Sequence, residues 1–196
     1  NLARGEAYRQ EAPTLWDVDD RTAVAQAEME DRETPGAYHQ VAFHRTDGAG
    51  DILIDTTRPE LVPSCVALVA HPDDGRYQPL FGSTVTTPVF GVEVPVLAHH
   101  LADPEKGSGI AMICTFGDTT DVTWWRELKL PVRAVIQPNG TLGPVTWGSA
   151  GWESVAPAAA QAAYDQLAGL SAKKAQVTIA ELLAASGDLI GAPRPI

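Results

Sequence analysis

Between residues 38 and 137 the sequence repeatedly sets a short run of β-branched and apolar residues against a glycine or proline turn. Residues 38–45, 51–57, 66–70, 84–89, 92–98, 110–116 and 133–137 each read as a strand. Residues 23–32 repeat the same alternation, so a further strand is expected there. The separators include Asp47-Gly48-Ala49-Gly50, Gly91 and Pro138-Asn139-Gly140, which are turn chemistry. So many short strands leave unpaired edges unless the sheet curls back on itself. The expectation is therefore a mainly β, α+β domain with a closed or nearly closed β-barrel core. Helical spacing over residues 119–130, 157–170 and 171–186 adds peripheral helices. The last of these carries Ala175, Ile179, Leu182, Leu183 and Ser186 on or near one face and stops at Gly187.

Residues 1–22 mix charge, Pro13 and the acidic run Asp17, Asp19 and Asp20, and read as a connector. Residues 23–196 are expected to form one domain, and the closing Gly191-Ala-Pro-Arg-Pro-Ile196 runs out as though continuing into something longer. No apolar run approaches the roughly 20 residues of a membrane helix, so no membrane partner is expected. Cys65 and Cys114 have no neighbouring Cys or His at metal-ligand spacing, which predicts neither zinc nor disulfides and a reducing, cytoplasmic setting.

The net charge of −11 argues against broad, unaided attraction to a phosphate backbone. Residues 1–60 hold 13 acidic and 6 basic side chains, so the excess concentrates in the first third. Any polyanion partner needs most of its attraction from elsewhere.

The stretch Asp55-Thr-Thr-Arg-Pro-Glu-Leu-Val-Pro-Ser-Cys65 ends a strand abruptly. Pro59 disfavours helix at Arg58 and suits a first helical turn, so a short helix is expected after a Thr56-Thr57-Arg58 corner. Such a corner presents hydroxyls, a guanidinium and unpaired N–H groups, which suit an oxygen-rich ligand. A threonine that merely caps the helix fits the local pattern equally. The second constellation runs from Gly107 to Trp125. There Gly107 and Gly109 permit close backbone approach, and the loop at 116–120 delivers Asp118 and Asp121, at i and i+3, to a helix start. Locally, Asp118 reads as a cap rather than a catalyst. Cys114 reads as a small core residue, the His99-His100 pair as a surface feature, and one indole of Trp124-Trp125 as core. Neither a nucleotide-phosphate loop nor a Gly-x-Ser-x-Gly elbow is present.

Taken together, TTRPE at residues 56–60, CVALVAHPDD at 65–74, GSGIAMICTFGDTTDV at 107–122 and WWRELKLPVRAVI at 124–136 resemble the editing domain inserted in class I aminoacyl-tRNA synthetases. Within that group the wording is most similar to the valyl-tRNA synthetase family, and the likeness runs from about Thr22 to Ile196.

The resemblance implies hydrolysis of a wrongly attached amino acid, above all threonine, from the 3′-terminal adenosine of tRNA(Val). It implies Asp121 as the carboxylate that binds the α-ammonium, with Thr56 and Thr57 beside the scissile ester and the attacking water. Arg58, Asp118, Met112, Cys114 and Gly109 are implied as pocket residues. Leu61, Met112 and Gly117 depart from the family pattern of threonine, lysine and histidine, which implies a less polar pocket in which Cys114 and Asp118 take over part of the recognition of the threonine hydroxyl. No cofactor is expected in this chain; ATP and Mg belong to the parent synthetase, whose remaining chain is the expected partner. A free-standing deacylase and a barrel that docks tRNA without hydrolysis are the rival readings.

Overall fold

The computed structural model describes residue 4, residues 13–30 and residues 35–196. Half of the expected connector, residues 1–22, lies outside the described residues. Its described part contains β1 (Trp16–Asp17), which pairs antiparallel with β2 (Thr22–Ala23). This small ribbon is tied to the 138–140 turn by Trp16 Nε1–H, which donates to the Pro138 carbonyl at 2.8 Å. The strand expected over residues 23–32 does not form: Gln26–Glu28 is a single 3-10 turn, and residues 31–32 lie outside the described residues.

Among the described residues the main sheet has seven strands. Its order is β4 (Asp51–Thr56), β3 (Ala37–Arg45), β6 (Thr84–Thr86), β7 (Glu93–Ala98), β5 (Ala67–Ala70) and β8 (Ile110–Ile113). The seventh, β9 (Arg194–Pro195), pairs with the first residues of β3, while β6 pairs with its last two. The closing segment, residues 191–196, thus contains a two-residue strand. All pairings are antiparallel except β5 with β7. The order brings β4 and β8 to opposite edges, and the sheet curls until these edges meet. There the Asp55 N–H donates to Ser108 Oγ at 3.1 Å. A Cβ on Gly107 would lie 3.0 Å from Asp55 Cβ, so glycine allows the approach. The outcome is a nearly closed barrel.

β4 shows the expected alternation, with Ile52, Ile54 and Thr56 buried and Asp51 and Leu53 exposed. β5 is buried on both faces. Leu68 and Ala70 join the main core with Phe43, Ile54 and Val96. Ala67 and Val69 instead join a second core with Ile113 and Trp124 under helix α1 (Thr119–Leu128). The same short strand therefore carries the barrel and seats the helix.

Helix α2 (Pro157–Tyr164) is shorter than expected, its remainder being turns. Tyr164 is fully buried, and its hydroxyl donates to the Gly143 carbonyl at 2.8 Å. Helix α3 (Ala172–Ser186) buries Ala175, Ile179 and Leu183 and stops at Gly187, whose φ of +85° suits the residue without a Cβ. The strand expected at residues 133–137 reduces to one bridge, Ile136 with Leu142. In its place buried Arg133 donates from Nη1 to the Cys65 carbonyl at 2.9 Å and from Nε to the Gly151 carbonyl at 3.1 Å. A side chain stapling two loops replaces a ladder.

Candidate functional site

The Thr56-Thr57-Arg58 corner forms where β4 ends. Thr56 is buried and its Oγ1 accepts the Arg58 N–H at 3.0 Å, a hydroxyl turn that arrests the strand. Pro59 then opens a 3-10 turn, Pro59–Ser64, the short helix expected there. Thr57 is exposed, and its hydroxyl has no hydrogen-bond partner among the described residues. Its carbonyl accepts from Gln176 Nε2 of α3 at 2.8 Å, so the corner is pinned from across the domain.

The second motif forms where β8 ends. The chain passes Thr115 and Phe116 with φ of +22° and +71°, a conformation that costs L residues energy and survives only where surroundings enforce it. One enforcer is the Thr115 hydroxyl, which accepts the Arg133 N–H at 3.1 Å and donates to its carbonyl at 3.0 Å. Asp118 then caps α1, its Oδ1 accepting the Asp121 N–H at 2.9 Å.

Asp121 is buried, and its Oδ2 accepts the Gly117 N–H at 2.9 Å. Burial is the main reason its carboxyl is pushed up to about 6; the like charge of Asp118 adds to this. The Gly117 and Cys114 amides and the Arg58 guanidinium oppose it. A Cβ at 117 would stand 2.7 Å from Asp121 Oδ2, so a side chain here requires the carboxylate to move.

The two motifs, distant in sequence, face one cavity of about 630 Å³. Thr56, Thr57, Arg58, Gly109, Met112, Cys114, Asp118 and Asp121 all line it. Gly109 does so with φ of +79°, and the space a Cβ would need is taken by the Arg76 guanidinium and the Pro104 carbonyl. Cys114 lies against Cys65, both free and buried. Burial first, then the neighbouring thiol, pushes the Cys114 thiol well up, opposite to what a nucleophile requires.

Sequence reasoning did not single out Tyr38, Leu101, Lys106 and Ile196, which also line the cavity. Leu101 and Lys106 come from the loop between β7 and β8, where proline, glycine and mixed charge gave the only signal. His99 and His100 stand away from the cavity: His99 Nε2 pairs with Glu127 Oε2 at 2.8 Å, and His100 packs edge-on against His71. Among the described residues no group of three or more His, Cys, Asp or Glu side chains is placed to hold a metal ion, and no helix is long and apolar enough to cross a membrane.

No family model matches the chain. It is 67% identical over all 196 residues to a valine-tRNA ligase of Thermobifida fusca (strain YX) and 64% identical to that of Leifsonia xyli subsp. xyli (strain CTCB07). A valine-tRNA ligase of Cutibacterium acnes (strain DSM 16379 / KPA171202) is 55% identical over 197 aligned positions. In each case the match covers the whole of this chain and 22% of the relative, so the chain spans about a fifth of those proteins' length. Among solved structures, a leucyl-tRNA synthetase of Agrobacterium radiobacter K84 superposes with a TM-score of 0.56 at 15% identity, over 83% of this chain and 20% of that one. That likeness concerns the fold: a barrel carried as a small part of a much longer synthetase. The chain belongs to the valine-tRNA ligase family of class I aminoacyl-tRNA synthetases, as the segment corresponding to their inserted editing domain.

Proposed function

We propose that this domain hydrolyses threonine from mischarged threonyl-tRNA(Val), inside a parent enzyme that ligates valine to tRNA(Val) with ATP and Mg. The observation that carries this reading is a buried carboxylate, Asp121, facing the same cavity as the Thr56-Thr57-Arg58 corner. The chemical need is plain. Threonine and valine are near isosteres, and a hydrophobic pocket cannot strongly reject a substrate that adds a hydroxyl, a limit for which valine-tRNA ligase is itself the standing example. A second, hydrolytic site that favours the hydroxyl supplies the missing discrimination.

In this reading Asp121 anchors the α-ammonium of the attached amino acid by a charge-assisted hydrogen bond. With its carboxyl at about 6, it is ionised at neutral pH and above. The free Thr57 hydroxyl orients the attacking water against the ester, and Thr56 shapes the corner. Cys114, with its raised thiol, is unsuited to an acyl-enzyme, so water attacks directly and the site contributes by positioning. Asp118 Oδ1 is occupied by its cap, which leaves Oδ2 to accept the threonine hydroxyl. Met112 and Leu61 give the rest of the pocket an apolar wall.

The partner is the aminoacylated 3′ end of tRNA(Val), delivered by the rest of the synthetase; the solved leucyl relative is a ternary complex with tRNA. The acidic balance fits that division of labour, the remaining chain doing most of the holding. The test is hydrolysis of threonyl-tRNA(Val) and valyl-tRNA(Val) by the full-length enzyme and its Asp121→Ala variant, at low salt. Selective threonine release that disappears in the variant is expected. Equal release of both amino acids, or release unchanged in the variant, overturns the reading.

A further inference from the structure

Arg58 and Asp121 both grip Gly117, and a guanidinium within electrostatic reach of a buried carboxylate is a natural partner for it. Here the two do not pair. Arg58 Nε donates to Glu60 Oε1 at 3.1 Å, and Nη1 donates to the Gly117 carbonyl at 2.9 Å. Glu60 is only 4% exposed, and its Oε2 has no hydrogen-bond partner among the described residues. A buried carboxylate with one oxygen unsatisfied is unfavourable in itself, and such a group calls for an explanation.

We propose that Glu60 is a positioning residue of the deacylase site, which holds Arg58 on the Gly117 backbone and thereby reserves Asp121 for the substrate's ammonium group. The inference rests on the reading of the cavity given above. The guanidinium is planar and its donors are fixed in a fork, so the carboxylate that receives Nε dictates where Nη1 points. Gly117 has no side chain, and its backbone is set by what grips it: Arg58 on its carbonyl and Asp121 on its N–H. The grip also steadies the strained turn at Thr115 and Phe116. Among the described residues Asp118, Arg58 and the Cys114 thiol act electrostatically on or with Asp121, and Asp55, Asp103 and Lys106 line the same cavity; Arg58 is the cation that acts on Asp121 directly. Released from Glu60, it moves onto Asp121 and competes with the α-ammonium.

The test compares Glu60→Ala and Glu60→Gln in the full-length enzyme with the parent, on threonyl-tRNA(Val). For Glu60→Ala the KM is expected to rise about tenfold with a smaller change in kcat, and the acid limb of the pH profile to move to lower pH as Arg58 favours the ionised Asp121. Glu60→Gln keeps an oxygen acceptor for Nε and is expected to recover most of the KM. A KM and pH profile equal to the parent's, even with a lowered Tm, overturns the proposal. A crystal structure of the Glu60→Ala enzyme judges it independently of hydrolysis. Arg58 on Asp121 or Asp118 supports it, and Arg58 still on the Gly117 carbonyl overturns it. Absence of threonine release by the parent itself instead strikes at the deacylase reading.

Discussion

Asp118 and Asp121 are joined by a hydrogen bond and opposed by charge. The Asp121 amide donates to Asp118 Oδ1 at 2.9 Å, while burial and, after it, the Asp118 charge hold the Asp121 carboxyl at about 6. The residue that starts the helix also helps decide when its neighbour ionises. Asp118→Asn separates the two roles, because asparagine caps as well as aspartate but carries no charge. Stability is expected to stay within about 0.5 kcal/mol of the parent, and the acid limb of the deacylation profile to shift to lower pH. A pH–rate series checks this.

Asp121→Asn is expected to abolish deacylation and yet stabilise the domain above pH 6. The carboxyl titrates near 3.8 when unfolded and near 6 when folded. Below 3.8 both states are protonated and nothing is lost. Between the two values the unfolded chain ionises first, and above about 6 the full cost is present. Removing the charge therefore recovers up to about 3 kcal/mol at pH 8, less the lost charged bond to Gly117. Urea midpoints at pH 4 and pH 8 check the sign: the gain is expected only at the higher pH.

Gly109→Ala is expected to cost about 2–4 kcal/mol, because φ is +79° and a Cβ would stand 2.8 Å from the Pro104 carbonyl and overlap the Arg76 guanidinium. Gly75→Ala, at a position with nothing within 4 Å, is expected to change stability by less than about 0.5 kcal/mol. Denaturant unfolding of the pair checks this.

Arg133→Ala removes donors from the Cys65 and Gly151 carbonyls and a cation 5.5 Å from the Trp152 ring centroid. A loss of about 3 kcal/mol is expected. Arg133→Met restores the stem's packing but not the donors, and is expected to recover less than half of it. The same unfolding measurement decides.

What the sequence made legible was whatever a few neighbouring residues determine. Pro59 after the Thr56-Thr57-Arg58 corner marked the end of β4, Asp118 marked the start of α1, and Gly187 the end of α3. Residues 133–137 misled because their β-branched pattern is local, whereas the staple that Arg133 makes to Cys65, 68 positions away, is not. The parallel pairing of β5 with β7 carries no local mark either. At the cavity, Thr56-Thr57-Arg58 and the Asp118, Asp121 pair stood in recognisable motifs. The Gln176 bond to the Thr57 carbonyl joins residues 119 positions apart and left no trace in either local pattern.

That bond also bears on the order of synthesis. Thr57 leaves the ribosome long before Gln176, and at roughly 5–20 residues per second the 119 positions between them take roughly 6–24 seconds to translate. Throughout that interval the nascent chain lacks the helix that pins its Thr56-Thr57-Arg58 corner, so this wall of the cavity is among the later parts of the segment to mature. A newly made chain therefore passes through a period in which β3 and β4 are both present while neither α3 nor the closing strand β9 is yet available to them.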